Sequence, residues 1–153
     1  CGKAMGASGA LITAPRVLCD VLVNRCRPFI FATAPSPLLA VAAREALAIL
    51  KDEPERRARL HALFTRAGDL LATRCGLAPS GSQILPVIIG DNGRTMALAA
   101  ELQAAGFDVR GVRPPTVPQG TARLRLSITL NADAAAVDAL FDRLGDALKE
   151  RAA

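Results

Sequence analysis

Apolar side chains recur at helical spacing through the first half of the chain and alternate with polar ones only in the second. Residues 8–13, Ser-Gly-Ala-Leu-Ile-Thr, form a short strand candidate. Pro15 then suits the first turn of a helix reaching about Cys26, with Val17, Leu18, Val21 and Leu22 on one face. Ser36 before Pro37 reads as an N-cap with proline at N1, opening a helix to about Lys51 that is expected to bury Leu38, Leu39, Ala42, Leu47 and Leu50. A further helix over 54–75 places Leu60, Leu63, Phe64, Ala67, Leu70 and Leu71 at helical spacing, with Gly76 as its C′ residue.

A turn-rich link at 79–82 separates this helical half from a region of mixed character. Residues 84–89 read as a buried strand that Pro86 pushes toward a sheet edge, and Asp91 caps a helix over 92–105 that Gly106 ends. Two more strands follow, over 107–112 and 122–130, the last with Leu124, Leu126, Ile128 and Leu130 on one face and Arg123 and Arg125 on the other. The arginines are expected to be solvated or ion-paired there. Asn131 begins a final helix with a stripe of Val137, Leu140, Phe141, Leu144 and Leu148. The second half is therefore a β-α-β-β-α unit of α+β type, its helices covering one sheet face.

Composition narrows the class. Hydrophobic residues at 51% and charged residues at 22% exclude a disordered chain, and 153 residues suit one good core with appendages. The longest apolar stretch, 29–43, contains Pro35 and Pro37 and falls short of the roughly 20 residues a membrane helix requires, so no membrane partner is expected. The net charge of +5 raises nucleic acid as a partner, but the arginines are scattered among acids and Trp and Tyr are absent, so none is expected. Cys1, Cys19, Cys26 and Cys75 lack metal-ligand spacing and His61 stands far from them in sequence; no metal is expected, and the plain reading is reduced thiols in the cytoplasm. A chain opening at Cys1, without Met, a basic stretch or a leading apolar run, is expected to be a piece of a longer protein without a signal peptide.

Two stretches carry candidate chemistry. In Gly2-Lys3-Ala4-Met5-Gly6-Ala7-Ser8-Gly9 a lysine sits in a small-residue loop where glycines permit close approach, a setting suited to a Schiff-base amine; on spacing alone, such a lysine near a chain end reads as a solvated surface charge. In residues 112–121 three prolines are expected to hold the loop extended and to fix Arg113, whose planar fork suits a carboxylate. By itself Arg113 also reads as an exposed arginine at a strand end.

Together, and in this order, these stretches resemble the pyridoxal-phosphate-dependent α-oxoamine synthases of fold type I. The Lys3 segment is similar to the family's cofactor-lysine segment. Arg113-Pro-Pro-Thr-Val-Pro118 with Gly120-Thr-Ala-Arg-Leu-Arg-Leu126 is similar to its C-terminal signature. Arginine before two prolines, with Gly90-Asp91-Asn92, is most similar to the branch that makes 8-amino-7-oxononanoate for biotin. The resemblance spans all of this chain but under half of such an enzyme. It implies an α/β fold type I architecture, with 1–52 as the end of the large cofactor domain, including the lysine segment and an interdomain helix, and 53–153 as the small C-terminal domain.

The resemblance further implies that Lys3 holds pyridoxal 5′-phosphate and takes up the Cα proton of L-alanine. The alanine then condenses, with decarboxylation, with pimeloyl-CoA or a pimeloyl carrier protein. Arg113 would grip the substrate carboxylate, with Thr116 on the same side of the pocket. Thr33, in Phe31-Ala32-Thr33, would reach the cofactor phosphate of the other subunit of a homodimer. The family's acid for the pyridine nitrogen and its stacking histidine have no counterpart here, and its hydroxyl residue ahead of the lysine is reduced to Cys1-Gly2, so the chain alone is expected to be inactive. His61 is expected to be a polar helix residue. Two alternatives stay open: another synthase of the family, such as glycine C-acetyltransferase or 5-aminolevulinate synthase, and a non-catalytic interaction module.

Overall fold

The computed structural model of the chain describes residues 1–150. It divides into two compact units, Cys1–Pro54 and Glu55–Ala153. In the first, a loop over 1–15 leads to helix α1 (Arg16–Arg25), the single turn α2 (Arg27–Ile30) and helix α3 (Pro37–Asp52). The Ser36 hydroxyl accepts from the Leu38 N–H at 3.3 Å and Pro37 takes the first helical position, which satisfies one orphan donor and removes another. Pro15 is the N-cap of α1 and not its first helical residue.

Two expectations fail in this unit. Residues 8–13 form no strand, because no neighbouring backbone offers a ladder to pair with; Leu11 and Ile12 stand exposed. Of the residues expected to be buried by α3, Leu38, Ala42, Leu47 and Leu50 are exposed and Leu39 is half-buried; only Ala43 of that helix is buried. The periodic signal is real, but amphipathicity buries a face only where another element covers it.

The second unit opens with α4 (Pro54–Cys75) and continues through β1 (Ile84–Gly90), α5 (Asn92–Ala104), β2 (Arg110–Val112), β3 (Ala122–Ser127) and α6 (Ala134–Glu150). The β-α-β-β-α order is as expected. The sheet runs β1-β3-β2, with β3 antiparallel to both neighbours. Pro86, which has no N–H to give, sits on edge strand β1 opposite Arg125. One face carries the core: Leu85, Val87, Leu124 and Leu126 pack with Leu98 and Leu102 of α5, Leu71 of α4 and Phe141 and Leu144 of α6, all 2% exposed or less.

Helix ends explain the boundaries. The Asp91 carboxylate accepts the Arg94 N–H at 2.8 Å to start α5. Gly106, in the left-handed region at φ +93°, ends it: its N–H reaches the Gln103 carbonyl, and the Phe107 N–H reaches that of Leu102. Asp133 caps α6 through the Ala136 N–H at 2.8 Å, so the helix starts later than Asn131. The strand expected over 107–112 shortens to Arg110–Val112, because the Val109 N–H turns back to the Phe107 carbonyl and the Val109 carbonyl is taken by the Gln103 side chain.

Candidate functional site

The expected site residues fall in both units: Lys3 and Thr33 in the first, Arg113 and Thr116 in the second. The loop bearing Lys3 closes on itself. The Gly6 N–H reaches the Lys3 carbonyl at 2.9 Å, the Ala7 N–H reaches that of Cys1 at 3.2 Å, and the terminal amine reaches that of Gly9 at 2.8 Å. Gly6 and Gly9 take φ of +60° and +91°, where a Cβ would be strained. Lys3 is exposed above a shallow depression lined by Cys1, Gly2, Ala4 and Met5, and it has no ion-pair partner among the described residues. Thr33 lies exposed between α2 and α3, its hydroxyl free of hydrogen bonds among the described residues.

Arg113 and Thr116 are brought together by the local chain. The Thr116 N–H reaches the Arg113 carbonyl at 3.1 Å, closing a four-residue turn through the cis Pro114–Pro115 bond. A second turn follows, with the Thr121 N–H and hydroxyl both on the Pro118 carbonyl at 3.2 and 2.7 Å. The loop over 113–121 is thus two hydrogen-bonded turns and not the extended segment expected from its prolines. Both Arg113 and Thr116 are exposed.

Close packing fixes where this loop starts and returns. A Cβ on Gly111 would stand 2.8 Å from the Met96 sulfur, so β2 lies directly on α5. At the far side, a Cβ on Gly90, which takes φ +90° beyond a register shift in β1, would stand 3.3 Å from the Gly120 carbonyl oxygen. Arg123 donates through Nε to the Thr121 carbonyl at 2.9 Å.

The face of the sheet away from the core holds what sequence reasoning undervalued. Arg125 is exposed beside Arg110, its register partner on β2, and Arg110 pairs with Asp108 at 2.8 Å. Neither Arg123 nor Arg125 forms an ion pair among the described residues: Arg125 is exposed, the solvated one of the two expected outcomes, and Arg123 is half-buried with its backbone bond to Thr121. Alternation placed Arg125 outward; the missing clue was the lack of an acid in register with it.

Other titratable groups stand apart from these residues. The Arg66 guanidinium grips the Asp138 carboxylate through two bonds of 2.7 and 2.5 Å and holds that carboxyl below the usual range. Burial pushes the Cys75 thiol up, against the opposing pull of Lys149 and Arg74. His61 is exposed on α4, its ring 4.7 Å from that of Phe64. Among the described residues no group of three or more His, Cys, Asp or Glu is arranged to hold a metal ion, and no helix is long and apolar enough to cross a membrane.

The donor set suits an aldehyde cofactor carrying a phosphate in two respects: a primary amine in an open glycine loop, and a free hydroxyl at Thr33. It supplies neither an acid nor a ring beside Lys3, since the depression there is lined by small and apolar residues.

Comparison with known proteins places the whole arrangement in context. The model of the aminotransferase class I and II family matches residues 1–144. An 8-amino-7-oxononanoate synthase of Anaeromyxobacter dehalogenans is 44% identical over 149 residues, 96% of this chain and 37% of that protein. One from Methylobacterium radiotolerans is 45% identical over 140 residues, 92% of this chain and 36% of its own length. The chain therefore spans well under half the length of these relatives. Among solved structures, 8-amino-7-oxononanoate synthase from Francisella tularensis superposes with a TM-score of 0.85 at 24% identity, over 99% of this chain and 45% of that one. Serine palmitoyltransferase from Sphingomonas wittichii gives 0.87 at 25%, over 99% and 39%.

Proposed function

The chain belongs to the aminotransferase class I and II family, and from that premise we propose that it is the cofactor-lysine segment and small domain of a pyridoxal-phosphate-dependent 8-amino-7-oxononanoate synthase. The observation that carries this reading is the 44% identity running through 96% of the chain, beside a family match over residues 1–144 that takes in the Lys3 loop and the 113–126 signature alike. Residues 1–52 would then end the large domain and 53–153 form the small one.

In this reading Lys3 holds pyridoxal phosphate through its exposed amine, and Thr33 donates its hydroxyl to the phosphate of the other subunit of a homodimer. When bound, the cofactor supplies an electron sink for charge developing at the amino acid Cα. With the amino acid bound, the Lys3 amine would be the base that moves its Cα proton. Arg113 holds the substrate carboxylate through its two parallel donors, and Thr116, three residues on across the turn, offers a hydroxyl on the same side. A pimeloyl thioester, on coenzyme A or a carrier protein, is the acyl donor. A second assignment of the carboxylate contact is favoured by one observation: Arg125 is also exposed and forms no ion pair among the described residues, with its register neighbour Arg110 already occupied by Asp108.

The test is reconstitution. The chain joined to the remaining length of a matched relative, supplied with pyridoxal phosphate, L-alanine and a pimeloyl thioester, is expected to release carbon dioxide and 8-amino-7-oxononanoate, identified by mass. Turnover of glycine with a short acyl thioester in place of these would favour another synthase of the family. No turnover of any pair, in a folded protein, would favour a non-catalytic module.

A further inference from the structure

On the face of the sheet away from the core, register sorts the side chains into rows. Pro86, Arg125 and Arg110 lie side by side across β1, β3 and β2, and Ile88, Arg123 and Val112 form the next row. Arg110 and Arg125 therefore stand directly opposite each other on antiparallel strands, both exposed. Like charges so placed repel, and an anion held between them turns that repulsion into attraction. The acid present is Asp108, which the chain sets beside Arg110 because β2 starts only at Arg110 and residue 108 lies outside the ladder. It reaches the Arg110 Nε at 2.8 Å, but the two side chains are 65% and 77% exposed, so water screens the pair and a competing carboxylate can displace it. Along β1 the same face is apolar: Ile84 and Ile88 are 46% and 57% exposed.

A face apolar along one edge strand and cationic along the other two suits a methylene chain that ends in an anion. The reaction proposed above brings two carboxylates together. One belongs to the amino acid. The other is the far end of the acyl donor, since a thioester at one end of a seven-carbon dicarboxylate leaves a carboxylate five methylenes away. Arg113 and Arg125 are the candidates for the first; the second needs a cation of its own. We propose that Arg110 is the ligand of the acyl donor's far carboxylate and so sets a preference for dicarboxylic over monocarboxylic donors, an inference that rests on the synthase reading. Arg110 exchanges Asp108 for that carboxylate through its planar fork, with the methylenes running across the face toward Ile84 and Ile88. A donor on coenzyme A also carries phosphates; the isoleucines beside the arginines favour the carboxylate on its chain.

The experiment uses the reconstituted protein and four donors: pimeloyl and heptanoyl thioesters of N-acetylcysteamine, which has no phosphate, and the same two acyl groups on coenzyme A. Calorimetry without alanine reads binding, so the result does not depend on turnover. The unsubstituted protein is expected to bind each pimeloyl donor more tightly than its heptanoyl counterpart. Arg110→Gln is expected to weaken both pimeloyl donors about tenfold to hundredfold, leaving the heptanoyl donors and the KM for alanine unchanged. Arg110→Lys keeps the charge without the fork and is expected to recover part of the loss. Asp108→Asn removes the competing carboxylate and is expected to tighten the pimeloyl donors alone, by about two- to fivefold. Helical circular dichroism checks that these exposed substitutions leave the fold intact. Equal binding of pimeloyl and heptanoyl donors by the unsubstituted protein overturns the proposal, as does an equal loss for both acyl groups in Arg110→Gln, or no loss. A loss confined to the coenzyme A donors overturns it too, by assigning Arg110 to a phosphate. Discrimination in binding without turnover would leave Arg110 assigned and the proposed reaction wrong; turnover indifferent to Arg110 would do the reverse.

Discussion

At the scale of single residues, the site is legible for reasons that differ from residue to residue. Lys3 and Thr33 would pass as surface groups on charge and spacing alone, and both are exposed; their assignment rests on resemblance. Arg113 was legible as a residue held by prolines, but three prolines are compatible with extended chain and with turns alike, and only the backbone bond from Thr116 decides between them. Arg113→Lys and Arg125→Lys in the reconstituted enzyme separate the two carboxylate assignments. Loss of a charge-assisted bond of roughly 1.5–3 kcal/mol predicts about a tenfold to hundredfold fall in kcat/KM at the true ligand. A near-neutral result is expected at the other. Mixing Thr33→Ala with Lys3→Ala subunits tests the crossed dimer. If Thr33 serves the other subunit, each mixed dimer regains one intact site and activity returns; if it serves its own, none is intact and activity stays absent. Asp138 offers a test of electrostatics. Its folded carboxyl is held below the unfolded value of about 3.9, so the stability it contributes is present above that pH and lost as pH falls through the lower folded value. Denaturant unfolding at pH 7 and pH 3 should show a smaller acid loss for Asp138→Asn than for the unsubstituted chain.

At the scale of elements, capping signals were the most readable part of the sequence. Ser36-Pro37, Asp91 and Gly76 or Gly106 mark real helix ends, because each satisfies a backbone group that the helix leaves orphaned. Strands were less readable. Residues 8–13 have strand-like composition and no partner, whereas β3 has two, and pairing is a property of the fold and not of the segment. Asp91→Ala removes the acceptor for the Arg94 N–H and is expected to lower the unfolding free energy by about 1 kcal/mol, read from urea denaturation with an unchanged slope. A changed slope would mean that α5 had frayed more widely than a lost cap allows.

At the scale of the whole molecule, the sequence revealed two compositional regimes but not that only one of them completes a core. Helical periodicity in α1 and α3 resembles that in α6, yet Phe141 and Leu144 are fully buried while Val17 and Leu38 are exposed. Residues 55–153 are therefore expected to unfold cooperatively on their own, with the heat-induced loss of helical circular dichroism as the measure; residues 1–54 alone are expected to show no such transition. The central claim, that Lys3 is the cofactor lysine of a family enzyme, has a direct test in the chain's three lysines, Lys3, Lys51 and Lys149. The reconstituted protein is incubated with pyridoxal phosphate, reduced with borohydride so that the cofactor is fixed to the amine holding it, digested and mapped by mass. The account predicts stoichiometric labelling of the peptide containing Lys3, lost in Lys3→Ala, and only scattered labelling when residues 1–153 are treated alone. Stoichiometric labelling at any other lysine of the reconstituted protein, or none at Lys3, would contradict it.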